Sequence, residues 1–87
     1  MNYMVREIEA VRAQGLVVLG WRTAEDGLHL KVRGQTDEVL PRCPRCSRTH
    51  WIVREQFLPG SARILLSCHN CGTKVSYLLE GATLPAP

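Results

Sequence analysis

Apolar and polar positions follow two rhythms along this chain. Over residues 3–14, Met4, Ile8 and Val11 recur at helical spacing, Val5 widens the stripe, and Gly15 stands where a glycine commonly ends a helix. This predicts a short amphipathic helix, with Asn2 available to cap it. The rhythm then shortens to two. Residues 16–21 and 28–33 are β-prone runs on either side of a polar loop, 22–27, that ends in Asp-Gly, the pattern of a β-hairpin. In the second run Leu28, Leu30 and Val32 alternate with His29, Lys31 and Arg33, which assigns one face to a core and the other to water.

Residues 34–38 interrupt this pattern with turn-forming and acidic side chains before Val39-Leu40-Pro41 leads into the first cysteine. Residues 49–58 are extended in character, with Trp51, Val53 and Phe57 on one side and Ile52 and Leu58 on the other. Leu58-Pro59-Gly60-Ser61 suits a type II turn, because proline presets φ at its second position and glycine supplies positive φ at its third. Residues 62–67 return as a strand, and residues 74–80 make another with Val75, Tyr77 and Leu79 on one face. The expected fold class is α+β: a helix-plus-hairpin extension over 1–38, a three-stranded antiparallel module over 39–80, and a tail over 81–87.

A chain of 87 residues supports one hydrophobic core worth only about 3–5 kcal/mol, so a covalent or metal staple is expected. The staple is visible as Cys43-Pro44-Arg45-Cys46 and Cys68-His69-Asn70-Cys71. Two cysteines three apart turn their sulfurs onto one ion from a tight knuckle, and a second knuckle completes a tetrahedron. The segment between the pairs is long enough for two strands and a turn, which returns the second knuckle to the first. Gly72 supports the reading, since positive φ there lets backbone N–H groups point at sulfur. Without a secretory leader pattern, cysteines serve metals more often than disulfides.

In these features the chain resembles the zinc-ribbon family over residues 40–79, through the CPxC knuckle Cys43–Cys46 and the CxxCG knuckle Cys68–Gly72. The resemblance implies a ribbon fold, Zn2+ as the cofactor, and Cys43, Cys46, Cys68 and Cys71 as its ligands. Ser47 departs from the glycine that many ribbons carry after the first pair. Three alternatives stand beside zinc: two disulfides, a redox CxxC that lacks its βαβ context, and a rubredoxin-like iron centre that Ser47 disfavours. His50 and His69 are the substitute ligands to consider.

Composition adds little, at 45% hydrophobic and 22% charged residues, except to exclude disordered and repetitive classes. No apolar run approaches the roughly 20 residues of a membrane span, and a cytoplasmic location follows by default. Charge is more informative. The net +3 is concentrated downstream, where Arg42, Arg45, Arg48, Arg54, Arg63 and Lys74 face Glu55 alone between residues 41 and 75. Four thiolates around a divalent ion carry about −2 and offset part of that excess. Arg45, Arg48, Arg54, Arg63 and Lys74 are candidate phosphate contacts, and Trp51 a candidate stacking platform unless it belongs to the core.

Two functional readings follow. One is a zinc ribbon that binds nucleic acid or acts within nucleic-acid machinery. The other is a structural or protein-interaction subunit of a larger assembly such as a polymerase, ribosome or virion. An enzyme is not expected, because four thiolates leave no open coordination position and the sequence contains no triad, carboxylate pair or phosphate-binding glycine loop. A small-molecule substrate is not expected either.

Overall fold

The computed structural model describes residues 5–13 and 15–80. They form seven strands, β1 (Val5–Glu9), β2 (Val17–Ala24), β3 (Gly27–Val32), β4 (Glu38–Arg42), β5 (Trp51–Leu58), β6 (Ser61–Cys68) and β7 (Lys74–Leu79), joined in one mixed sheet of order β1-β4-β3-β2-β7-β6-β5. The fold is therefore all-β, which corrects the α+β expectation. Among the described residues the only helical element is a 3₁₀ turn, Ala10–Ala13, and the start and end of the expected helix, with Asn2, lie outside them, as does the tail 81–87.

The reason is non-local. Helix propensities differ by tenths of a kcal/mol per residue, and a helix of about a dozen residues is marginal without tertiary packing. The segment instead meets the open edge of β4 and pairs with it in parallel, from Val5↔Glu38 to Glu9↔Arg42. Arg42 Nη1 donates to Glu7 across this pair at 3.0 Å. Val5 and Val11 remain exposed and Ile8 only partly covered, so the apparent helical stripe is not buried as a stripe. The chain then turns inward. Ala10 is fully buried and its carbonyl accepts the Tyr77 hydroxyl at 2.6 Å. Burial pushes the ionisation of Tyr77 upward, which keeps that hydroxyl a donor.

The ribbon expected from alternation is present: β5, β6 and β7 pair antiparallel, and Pro59-Gly60 closes the β5–β6 turn with Gly60 at φ +81°. The β2–β3 hairpin is also present, with strands that run closer to a two-residue turn at Glu25-Asp26 than the polar loop suggested. A short parallel pairing, Val17↔Leu78 and Val18↔Leu79, joins hairpin to ribbon. One core spans both: Val18, Leu28, Leu30, Val32 and Val39 pack with Trp51, Ile64, Leu66, Tyr77 and the sulfur-bearing Cys43 and Cys68. Burying each large side chain contributes about 1.5–3 kcal/mol, so the extension and the ribbon stabilise one another.

The sheet curls until the β2–β3 turn meets the residues preceding β5. Leu28 N–H donates to the Thr49 carbonyl at 2.9 Å, and Thr49 Oγ1 donates to the Asp26 carbonyl at 2.6 Å. Gly27 makes this approach possible: its φ is +129°, and a Cβ there would lie 2.2 Å from the Thr49 carbonyl oxygen. Gly27→Ala is therefore expected to cost at least about 2 kcal/mol, through left-handed strain and a backbone clash together. Urea denaturation of metal-loaded protein checks this; an unchanged midpoint would mean that the curl is not tight.

Candidate metal centre

Both knuckles are built alike. In the first, Ser47 N–H donates to the Cys43 carbonyl and Cys43 N–H to the Arg48 carbonyl, each at 2.8 Å. In the second, Gly72 N–H donates to the Cys68 carbonyl at 2.9 Å and Cys68 N–H to the Thr73 carbonyl at 2.7 Å. The residue after each second cysteine takes positive φ, +64° at Ser47 and +81° at Gly72. Ser47 is the only described non-glycine residue in that region, so the first knuckle keeps the regular shape that glycine would give while bearing about 1–3 kcal/mol of backbone strain.

Cys43 follows β4, Cys46 lies in the loop leading to β5, Cys68 ends β6 and Cys71 precedes β7, so four strand ends converge on one point. The sulfurs of Cys43 and Cys71 lie 3.5 Å apart, as do those of Cys46 and Cys68, and all four lie within 4.8 Å of one another. A disulfide requires about 2.05 Å, and the four cysteines are free. A tetrahedral ion bound at about 2.3 Å places its sulfurs about 3.8 Å apart, so the cluster fits a metal ion such as zinc. Cys43 and Cys68 are buried in the core, whereas Cys71 faces solvent.

The surroundings favour anionic sulfur unevenly. At Cys43 burial opposes ionisation, but N–H groups of Cys46 and Arg45, with help from Cys71 and Thr73, outweigh it and bring the thiol down to about 6. At Cys68 burial prevails over the N–H groups of Cys71 and Asn70 and pushes the thiol up to about 11. Thr73 holds Cys71 below the ordinary thiol range through its hydroxyl, 3.1 Å from the sulfur, and its N–H. A bound cation ionises coordinating thiols outright, and these N–H and hydroxyl donors then serve the thiolates.

Neither suspected histidine joins the cluster. His50 Nε2 lies 3.1 Å from the Glu25 carbonyl, and His69 is exposed. Trp51 is 6% exposed and donates its Nε1–H to the Pro41 carbonyl at 2.9 Å, so its ring packs in the core. Arg45 and Arg48 stand exposed on the first knuckle, and Arg54, Arg63 and Lys74 stand exposed on β5, β6 and β7. Register places those last three on one face, opposite the core. Comparison with protein-family models, curated proteins and solved structures finds no match to this chain.

Alternation misses one polar constellation. His29, expected in water, is 4% exposed: its Nε2 lies 2.6 Å from Asp26 Oδ1 and its Nδ1 3.0 Å from Glu38 Oε1, while Arg22 Nη2 donates to that same Glu38 oxygen at 2.7 Å. The one available signal was an Asp-x-x-His spacing across a tight turn. Hydrogen bonds from Arg22 first, and from His29 against the opposing effect of burial, hold Glu38 below its ordinary value of 4.5. A lowered folded-state value stabilises the protein above pH 4.5, and that contribution disappears as pH falls through the folded value. Wild type should thus exceed Glu38→Gln in stability at neutral pH, with the gap closing below about pH 4.5. A gap independent of pH in parallel denaturation series would contradict the ion-pair account.

Proposed function

We propose that this chain is a non-catalytic zinc ribbon that engages nucleic acid through phosphate contacts. Zinc is the preferred ion because four thiolates in two knuckles are the donor set of closed structural zinc sites. The same closure argues against catalysis, since no coordination position remains for water. The His29 cluster does not supply an active site either, because both ring nitrogens already face carboxylates.

The observation that carries the nucleic-acid reading is how the cations are partnered. Among the described residues outside β5–β7, Arg22 pairs with Glu38, Arg33 with Glu80 and Arg42 with Glu7, while Arg6 bonds the Gln35 amide. Among the described residues, no carboxylate pairs with Arg45, Arg48, Arg54, Arg63 or Lys74. Glu55, the one acidic side chain within β5–β7, sits on the other face and accepts the Trp21 Nε1–H at 2.9 Å. A solvated array of cations without counter-charges is what phosphate neutralisation needs, whereas internal stabilisation would use them in pairs.

A second reading, a protein-interaction subunit, is favoured by a different feature. β5 is the last strand of the sheet, and Phe57 and Leu58 at its turn end are 55% and 51% exposed. The two readings separate by salt dependence. Purified protein should contain one equivalent of zinc and bind oligonucleotides with log K falling against log salt by about 0.7–0.9 per phosphate contact. Combined Arg54→Ala, Arg63→Ala and Lys74→Ala changes should flatten that slope by about 2 and weaken binding at least about tenfold, with little change in thermal midpoint. A triple variant that keeps the wild-type slope would leave the protein-interaction reading in place.

A further inference from the structure

We infer that the ribbon's outer face accepts single-stranded rather than duplex nucleic acid, seated in a groove walled by Arg54 and Lys74 and floored by Ile52 and Leu65. The inference rests on the nucleic-acid reading above and concerns what form of nucleic acid that surface fits.

The groove has a volume of about 620 Å3, and Val11 of the 3₁₀ turn also lines it. Its pattern follows from register. One row across the three strands reads Ile52, Ser67, Lys74; the next reads Arg54, Leu65, Ser76. Each row thus carries one aliphatic side chain, one hydroxyl and one cation, and the cations stand at opposite ends. β5 and β7 are two strand spacings apart and the two cations sit in adjacent rows, so the backbone positions of Arg54 and Lys74 stand about 12 Å apart diagonally across the groove. Leu65 and Ser67 of β6 lie between them, and Ile52, beside Arg54 on β5, is 58% exposed.

A duplex presents a charged backbone outward and keeps its bases stacked inside. Laid on this face it would satisfy the two cations but press phosphates and sugars against Ile52 and Leu65. A single strand carries the same charge at every nucleotide and also exposes flat, weakly polar base faces. Those faces cover the aliphatic floor while phosphates reach the walls, and Ser67 and Ser76 offer hydroxyls to either. Trp51 and Tyr77 face the core and Phe57 lies on the opposite face of β5, so no aromatic ring lines the groove, and contact with aliphatic side chains offers no hydrogen-bond readout of base identity.

The test uses the full metal-loaded chain, a poly-dT oligonucleotide, a blunt duplex of equal length and an acidic amphipathic peptide. Through base contacts with Ile52 and Leu65, which a duplex cannot make, single strand should bind at least about tenfold more tightly than duplex at the same salt. Ile52→Ser, at an exposed position that tolerates the change, should weaken single-strand binding about fivefold without altering the salt slope, and Ile52→Leu should restore it. Arg54→Ala should instead flatten that slope by about 0.7. Equal or tighter duplex binding, or an Ile52→Ser variant that binds single strand like wild type, would overturn the groove assignment while leaving phosphate binding intact. Failure to bind either oligonucleotide, with or without capture of the peptide, would overturn the nucleic-acid reading and this inference together.

Discussion

Everything else in this molecule depends on four sulfurs being held within 4.8 Å of one another. They gather the end of β4, the entry to β5, the end of β6 and the entry to β7 at one point. Two of them, Cys43 and Cys68, are core residues, so the site is part of the packing rather than an appendage to it. A core of this size supplies only a few kcal/mol, whereas zinc binding to small thiolate sites is worth about 10–16 kcal/mol at neutral pH. In the proposed zinc form, ion binding and folding are largely one free energy.

The extension reaches that site through the β2–β3 turn. Asp26 is held by His29, its carbonyl receives the Thr49 hydroxyl, and Thr49 lies between the first knuckle and β5. Arg22 and Glu38 close the other side of His29. The polar cluster thus fixes the turn that presses on the segment leading out of the knuckle, with no group at the site itself. Tyr77 does the corresponding work at the far end by binding the Ala10 carbonyl. Together these contacts make a single core out of what the sequence divides near residue 38.

The ribbon was legible because its information is local: strict alternation in β6 and β7, a Pro-Gly turn, and cysteines at knuckle spacing. The first strand was not, because Val5, Ile8 and Val11 suit a helical stripe and the segment's choice is made by the edge of β4, which no local pattern reveals. His29 was misassigned for a related reason. Alternation correctly gives its direction but says nothing about Asp26, Arg22 and Glu38 covering that face. Ser47 shows the converse: the sequence departs from the glycine pattern, yet the knuckle's hydrogen bonds impose positive φ on it. Of the candidate site residues, the four cysteines converge as spacing implies, and Arg54, Arg63 and Lys74 share a face, which follows from strand register and not from their order in the chain.

The claim that the metal site and the single core are one cooperative unit is tested most directly by amide hydrogen exchange before and after chelation of the metal. The account predicts that protection is lost in β5, β6 and β7 and also in β2, β3 and β4, because Cys43, Cys68 and the turn at Gly27 link them. Protection that persists in either half after the metal has been removed would contradict it.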